Sequence, residues 1–208
     1  MPRLTERDKK CIAWLSQTGL PATTHDLAIM FFPSISGSIS SSLTVASRRL
    51  DAMSKLNQIS KYPRRFSCPQ VWFVGNKPNE RSLNHRLHFT HFIAKLVENN
   101  FRIIDTKIEY RMPDKYGIIA DLFLTVEYGT SSKQYFMFVE IDISKAYNNN
   151  WKNVIFDLDN GLLKSEKEMI FVSVCNAKID DEELRKRVIH IDLNYDSFNK
   201  LIWYFIDK

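Results

Sequence analysis

Three β-like runs separated by short turns constrain the fold of the second half of the chain most strongly. The runs are "FRIIDTKIEYRM", "IIADLFLTVEYG" and "QYFMFVEIDIS", and the intervening turns are "PDKYG" and "TSSK". Turns of this length join antiparallel neighbours, so the three runs predict an antiparallel meander. A helical segment and the apolar run "EMIFVSVC" come next, which predicts a right-handed crossover to a further strand of the same sheet. The pattern therefore predicts a mixed α/β sheet.

The element order extends this prediction to a fold class. A helix at 82–99 precedes the meander, and the crossover strand is followed by the short helix "DDEELRKRV" and the strand "VIHIDLN". The resulting order is α-β-β-β-α-β-α-β, the order of the PD-(D/E)xK restriction-endonuclease-like core. We therefore expect residues 82–208 to form a nuclease-like domain with a mixed sheet. Its aromatic C-terminal helix closes the core or, alternatively, forms a dimer interface.

The acidic residues of the meander are candidates for a nuclease site. Glu140 and Asp142 lie two positions apart in a strand, so both carboxylates leave the same face, and Asp121 lies in the preceding strand. In this class of nuclease an Asp and a Glu bind Mg²⁺, and a lysine two positions after the Glu orients the attacking water. Asp142 occupies that lysine position here, so Lys145, or Lys152 further on, would have to supply the amine.

Two interpretations of these acids stay open. If the domain is catalytic, the catalytic residues are Asp121, Glu140, Asp142 and Lys145, and Asp121 and Glu140 bind the Mg²⁺. If it is not, the acids are relics of such a site or solvate the edge of the sheet, and no cofactor is expected. The acid at the lysine position favours the non-catalytic interpretation.

The first eighty residues read as three helices followed by two short β-like runs. Thr5 and Asp8 form a capping box before the first helix, Thr23 or Thr24 caps the second, and "SSSLTVASRRLDAMSKLNQ" is the third. The runs "QISKYP" and "QVWFVG" flank the basic turn "YPRRFSCP". This is the order of a winged helix-turn-helix, whose third helix enters the major groove and whose hairpin lies against the DNA backbone. We expect this domain to span residues 1–78.

Hydroxyl and basic side chains on the third helix and the hairpin are the candidate DNA contacts. The third helix has an apolar stripe at Leu43, Ala46, Leu50, Met53 and Leu56. Short hydroxyls allow close approach to base edges, and arginine can bind guanine or phosphate. The predicted DNA-binding residues on the helix are Ser41, Ser42, Thr44, Ser47, Arg48, Arg49 and Lys55. Those on the hairpin are Lys61, Arg64 and Arg65.

Charge and composition support a nucleic-acid partner for the first part of the chain. Residues 1–80 contain eleven Lys and Arg against five Asp and Glu, whereas the rest contains eighteen against nineteen. Lysine and arginine displace counterions from phosphates, so this asymmetry favours double-stranded DNA. We expect neither a secretory signal nor a membrane span, because residues 1–10 lack an apolar stretch and no apolar run reaches membrane-spanning length. The three cysteines lie far apart and fit a reducing cytoplasm, so we expect a cytoplasmic protein without a membrane partner.

Three histidines, His85, His88 and His91, follow the predicted hairpin. On a helix this spacing spreads over about 120° of arc, which is too wide for easy convergence on one metal. We interpret them as packing or interface histidines, with metal binding as the minority alternative.

The two halves together resemble a known family. The stretches that carry the resemblance are "LTERDKKCIAWL", "SRRLDAMSKLNQISK", "VWFVG", "LNHRLHFTHFIAKL", "ADLFL" and "FVEIDIS". In this order they resemble the replication-relaxation family of plasmids and other mobile elements, over roughly residues 4–160. The resemblance implies a DNA-binding accessory factor for plasmid replication or conjugative mobilisation, such as a relaxosome component. A relaxase or replication protein is the protein partner it implies.

Three functional hypotheses follow from the sequence. The first is a sequence-specific double-stranded DNA-binding protein whose nuclease-like domain serves for dimerisation or partner docking. The second is an active Mg²⁺-dependent DNA nickase or endonuclease that uses Asp121 and Glu140. The third is a winged-helix adaptor that binds proteins alone. Winged-helix proteins often bind paired half-sites, so we expect a homodimer.

Overall fold

The computed structural model describes residues 3–34, 37–63, 69–143 and 151–206. The chain divides into two compact units, Met1–Glu98 and Asn99–Lys208. Both contain helices and a sheet, so the predicted mixture of α and β structure is confirmed.

The first unit contains four helices and three short strands among its described residues. They are α1 (Glu6–Thr18), β1 (Ala22–Thr23), α2 (Thr24–Phe31), α3 (Ile39–Lys55), β2 (Ser60–Lys61), β3 (Val71–Phe73) and α4 (Glu80–Glu98). The strands form an antiparallel sheet in the order β1-β3-β2. The three predicted helices and two β runs are therefore confirmed. The strand β1 was not predicted, because a two-residue strand has no periodicity to recognise.

Matching capping boxes begin the first two helices. The Thr5 side chain accepts from the backbone of Asp8, and the Asp8 carboxylate accepts from the backbone of Thr5, which confirms the predicted cap of α1. Thr23 and Asp26 repeat this arrangement at α2. Each box satisfies backbone N–H groups that a helix leaves without intrahelical acceptors. Gly19 ends α1 in the left-handed conformation at φ +62°, which glycine adopts without steric cost.

The core of the first unit joins its helices to its sheet. Leu15 of α1, Leu27 of α2 and Leu50 of α3 are fully buried, and Trp72 of β3 packs in the same cluster. The indole Nε1 of Trp72 donates to Thr24 Oγ1 at 2.9 Å. This bond satisfies the polar atom of a buried aromatic residue and fixes α2 against the sheet.

The helix α4 belongs to the first unit, whereas the predicted boundary between residues 78 and 82 assigned it to the second. Thr90 Oγ1 donates to the carbonyl oxygen of Pro21 at 2.7 Å, and His91 Nδ1 lies 2.8 Å from Asp26 Oδ1. These contacts connect α4 to the segment around β1 and α2. Element order places the helix next to the strands of the second unit, but it does not reveal which unit the helix packs on.

The second unit contains a five-stranded mixed sheet. Its elements are β4 (Phe101–Arg111), a 3₁₀ turn (Asp114–Tyr116), β5 (Ile119–Tyr128), β6 (Gln134–Ile141), α5 (Lys152–Asp159), β7 (Glu168–Val174), α6 (Glu182–Arg187), β8 (Val188–Ile191) and α7 (Asn199–Ile206). The strand order is β4-β5-β6-β7-β8. The pairs from β4 to β6 are antiparallel, and the pairs from β6 to β8 are parallel. The predicted meander and the parallel strand after the crossover helix are thus confirmed.

Aromatic side chains organise one face of this sheet. Phe123, Phe138 and Phe171 lie opposite one another on β5, β6 and β7 and are buried. Trp151 and Leu184 belong to the same cluster, so the segment that begins α5 and the helix α6 cover this face. The packing fixes which side chains of β5 and β6 share the covered face.

Among the described residues, no helix combines the length and the apolar character that a membrane crossing requires.

Candidate functional site

The inner face of α3 holds this helix in the first unit. Ala46, Leu50 and Met53 are fully buried, as the predicted apolar stripe requires, and Leu43 packs against the same cluster. Side chains three and four positions apart lie on one side of a helix. The opposite side of α3 must therefore face away from this core.

The outer face of α3 carries most of the predicted DNA-binding residues. Its exposed members are Ser41, Thr44, Ser47, Arg48 and Lys55. Thr44 Oγ1 donates to the carbonyl oxygen of Ser40 at 3.0 Å, and Arg48 forms no ion pair within the described residues. The face thus offers short hydroxyls and basic groups along a helix of 17 residues.

Arg49 has a different position from its neighbour Arg48. Its Nε donates to Asp8 Oδ1 at 3.1 Å, its Nη2 donates to Asp8 Oδ2, and Nη2 also donates to the carbonyl oxygen of Arg3 at 3.1 Å. The Asp8 side chain is fully buried, whereas that of Arg49 is 24% exposed. Arg49 therefore joins α3 to the N-terminal cap of α1, a role that the sequence prediction missed.

Burial and hydrogen bonding have opposite effects on the pKa of the Asp8 carboxyl. Burial alone would raise its pKa, but the hydrogen bonds from Arg49 and Thr5 outweigh burial and lower the pKa below its ordinary value. The carboxylate is consequently charged at neutral pH and needs its guanidinium partner, because an unpaired buried charge is costly.

Ser42 also lies on the inner side of α3. Its hydroxyl donates to the carbonyl oxygen of Ser38 at 3.2 Å and accepts from the backbone N–H of Ser34 at 2.9 Å. The residue is only 5% exposed. These contacts join the beginning of α3 to the preceding loop, so its observed role is structural.

The predicted hairpin contacts are described in part. Lys61 of β2 forms an ion pair with Asp51 of α3 at 2.7 Å, and its ammonium lies 5.2 Å from the centre of the Trp72 ring. Both partners of the ion pair are about half exposed, so Lys61 lies at the surface beside α3. Arg64 and Arg65 lie outside the described residues.

The candidate nuclease acids lie on neighbouring strands of the second unit. The pairing of Leu122 with Val139 places Asp121 of β5 opposite Glu140 of β6. Asp121 Oδ2 accepts from the backbone N–H of Ile141 at 2.7 Å. Both acids are partly buried and lie on the sheet face that contains Phe123 and Phe138. The structure therefore brings together the two residues that the sequence predicted as a pair.

Polar positions continue the same row across the sheet. Glu140 pairs with Ser173 of β7, and Ser173 pairs with His190 of β8. On the other side, Ile108 and Tyr110 of β4 pair with Leu122 and Ala120 of β5, which places Glu109 opposite Asp121. The φ of Glu109 is +50°. A non-glycine residue in this region of backbone space is strained, and such strain often accompanies functional sites. No sequence signal indicated the conformation of Glu109.

The remaining members of the predicted nuclease site are only partly described. Asp142 follows the end of β6, and its N–H donates to the carbonyl oxygen of Val174 at 3.0 Å. Lys145 lies outside the described residues. Lys152 of α5 pairs with Asp181 at 2.8 Å, and the hydrogen bond that Lys152 donates to Asp181 raises the pKa of Lys152. The raised pKa keeps this amine protonated as the partner of Asp181, so it is a poor base.

Two carboxylates at adjacent positions can each offer oxygen ligands to a hard cation such as Mg²⁺. Within the described part of the chain, no group of three or more His, Cys, Asp or Glu side chains is arranged to bind a metal ion. Asp121 and Glu140 thus fit a two-carboxylate site that would need further ligands from water or substrate.

Comparison of this chain with protein-family models, curated proteins and solved structures finds no match. The resemblance to the replication-relaxation family stays a prediction.

Proposed function

We propose that the chain is a sequence-specific double-stranded DNA-binding protein that uses the first unit as a winged helix-turn-helix. The outer face of α3 is the observation that carries this proposal, because its hydroxyl and basic groups match the chemistry of base edges and phosphates. The order α1-β1-α2-α3-β2-β3 and the β1-β3-β2 sheet support it. In this arrangement α3 would lie in the major groove and the β2–β3 hairpin against the DNA backbone.

Each part of the proposed interface has a distinct role. Ser41, Thr44 and Ser47 would approach base edges closely because their side chains are short. Arg48 would bind guanine or phosphate, and Lys55 would bind a phosphate near the C-terminal end of α3. Lys61 would have to exchange its ion pair with Asp51 for a phosphate. Ser42 and Arg49 would not contact the DNA, because their side chains form hydrogen bonds within the first unit.

The proposed biological role follows the sequence resemblance. We propose an accessory function in plasmid or mobile-element replication or conjugative mobilisation, with the second unit serving for dimerisation or for docking of a relaxase or replication protein. Light scattering on the purified chain, alone and with the duplex, would measure the stoichiometry. A monomer on one unpaired half-site would contradict the dimeric part of this role.

Selection from a pool of random duplexes tests sequence-specific binding. We expect recovery of a defined motif, and Arg48→Ala should weaken binding to it by about tenfold or more, as loss of a bidentate base contact does. Lys10→Ala is the charge-matched control, because Lys10 is an exposed residue of α1. Equal weakening by both variants would mean that net charge alone drives binding, and recovery of no motif would contradict the proposal.

A second candidate function is favoured by the register that places Asp121 opposite Glu140. In that case the two carboxylates would bind Mg²⁺, which would activate a water molecule and stabilise charge on the scissile phosphate. Incubation of supercoiled plasmid with the protein and Mg²⁺ or Mn²⁺ tests it. Nicking that Glu140→Ala abolishes and the exposed-site control Glu166→Ala retains would establish this activity. Absence of metal-dependent nicking, or equal nicking by wild type and Glu140→Ala, would exclude it.

A further inference from the structure

A basic groove lies at the β8 end of the sheet in the second unit. A cavity of about 630 Å³ opens there, lined by residues 178–180, by the end of α6 and by residues of β8 and α7. This volume falls within the range of pockets that bind small-molecule ligands. Since β8 is the last strand in the order, the groove follows an edge of the sheet.

Three cations of the groove have no carboxylate partner within the described residues: Lys178, Arg185 and Lys200. Backbone carbonyl oxygens position two of them. Arg185 Nε donates to the carbonyl oxygen of Ile179 at 3.1 Å, and Lys200 Nζ donates to that of His190 at 3.5 Å. A carbonyl oxygen orients a cation but does not neutralise it. Asp180 also lines the groove and offsets part of this charge, but three such cations against one acid leave the groove net positive.

Two other basic residues of the lining do have carboxylate partners. Lys186 pairs with Glu183 at 3.1 Å, and Arg187 pairs with Asp159 at 2.5 Å. Their charge is already balanced at the surface. The attraction for an anion must then come from the carbonyl-bound cations and from Lys178.

An exposed aromatic residue lies beside these cations. Trp203 of α7 lines the groove and is 57% exposed. The adjacent Tyr204 donates its hydroxyl to Glu168 Oε1 at 2.7 Å, which fixes α7 against β7. A tryptophan ring exposed on a fixed helix offers a flat surface on which a base can stack.

We propose that this groove binds single-stranded nucleic acid, with phosphates on Lys178, Arg185 and Lys200 and a base stacked on Trp203. Basic grooves with aromatic platforms bind single strands without reading their sequence. A duplex hides its base faces and would leave Trp203 unused, and an acidic polypeptide would satisfy the cations but not the ring. This site lies wholly in the second unit and is independent of duplex binding by α3.

Fluorescence anisotropy of a labelled twelve-residue oligothymidylate with the full chain tests the site. The double substitution Lys178→Ala and Lys200→Ala should weaken binding by tenfold or more, and Trp203→Ala by about tenfold. Trp203→Phe should retain most of the affinity but lose the quenching of tryptophan fluorescence that accompanies stacking. The double substitution Lys107→Ala and Lys164→Ala is the charge-matched control, because both are exposed lysines of the same unit outside the groove lining.

Several outcomes would overturn the proposal. They are absence of oligothymidylate binding at moderate salt, equal weakening by the Lys107→Ala and Lys164→Ala double variant, and displacement by polyglutamate as effective as displacement by unlabelled oligothymidylate. Weakening by Arg48→Ala as large as that by the groove variants would assign the single strand to α3 instead. Because Arg48→Ala tests the duplex site separately, failure at one site is distinguishable from failure at the other.

Discussion

The inner and outer faces of α3 use the same residue types for different purposes. Ser41 and Arg48 are exposed on the outer face. Their neighbours Ser42 and Arg49 point inward, where Ser42 contacts the preceding loop and Arg49 contacts the buried Asp8. These two pairs show that residue type and local charge do not determine which residues of a helix can form an interface. The direction in which each side chain leaves the helix determines it.

Helix geometry explains the difference between neighbours. Successive residues are rotated by about 100°, so adjacent side chains leave a helix in clearly different directions. Arg49 lies three positions after Ala46 and four before Met53, both of which are buried. Arg48 lies four positions after Thr44 and therefore shares the exposed face. We therefore expect substitutions at neighbouring residues of α3 to have different effects on stability and on DNA binding.

The largest expected effect is on the stability of the first unit. Arg49→Ala leaves the buried Asp8 carboxylate without its guanidinium, and loss of one partner from such a pair should cost about 3 kcal/mol. Arg48→Ala should change the stability by no more than about 0.5 kcal/mol, as is usual at exposed positions. Hydrogen exchange followed by mass spectrometry would report on the peptides of α1 and α3 directly. Equal protection from hydrogen exchange in Arg49→Ala and Arg48→Ala would contradict the different roles assigned to the two arginines.

Acid unfolding should separate the same two variants. Because Asp8 has a lowered pKa in the folded chain, its ion pair contributes stability that is present above the ordinary pKa of 3.8 and is lost as the pH falls through the lowered value. Without Arg49, burial would raise the pKa of Asp8, and unfolding of the first unit should begin at higher pH. Circular dichroism between pH 6 and pH 2 measures this shift. An unchanged midpoint in Arg49→Ala would contradict it, and Arg48→Ala provides the baseline.

The serine pair should show a smaller contrast. Ser42→Ala removes the acceptor for the N–H of Ser34 and should lower the free energy of unfolding by about 1 kcal/mol. Ser41→Ala should have little effect or be slightly stabilising, because alanine has the higher helix propensity and the site is exposed. Thermal unfolding of both variants measures the contrast, and a larger loss in Ser41→Ala would reverse the assignment of the two faces.

The sequence predicted the elements of the first unit better than their contacts. Capping residues and apolar spacing located α1, α2 and α3, because both signals are local. The pairing of Asp8 with Arg49 joins residues 41 positions apart, so no local pattern reveals it. The apolar stripe of α3 nevertheless indicated the direction of Arg49, because Arg49 lies between Ala46 and Met53 on the side of the helix that faces inward.

In the second unit the sequence predicted both the sheet and the pairing of its acids. Short turns and a helical crossover determine the neighbours of β6, and alternation along β5 and β6 places Asp121 and Glu140 on one face. The left-handed backbone of Glu109 and the groove at β8 were not predicted. The conformation of Glu109 depends on local backbone geometry, and the groove depends on the meeting of distant segments. Residue type alone specifies neither.

The central claim is that the outer face of α3 binds duplex DNA while the inner face only supports the helix. Duplex affinity of Arg48→Ala and Arg49→Ala, measured at low temperature where both variants are folded, tests this claim most directly. We predict that Arg48→Ala weakens binding by about tenfold or more, whereas Arg49→Ala stays within about twofold of the wild type. Equal loss in the two variants, or loss in Arg49→Ala alone, would contradict the claim.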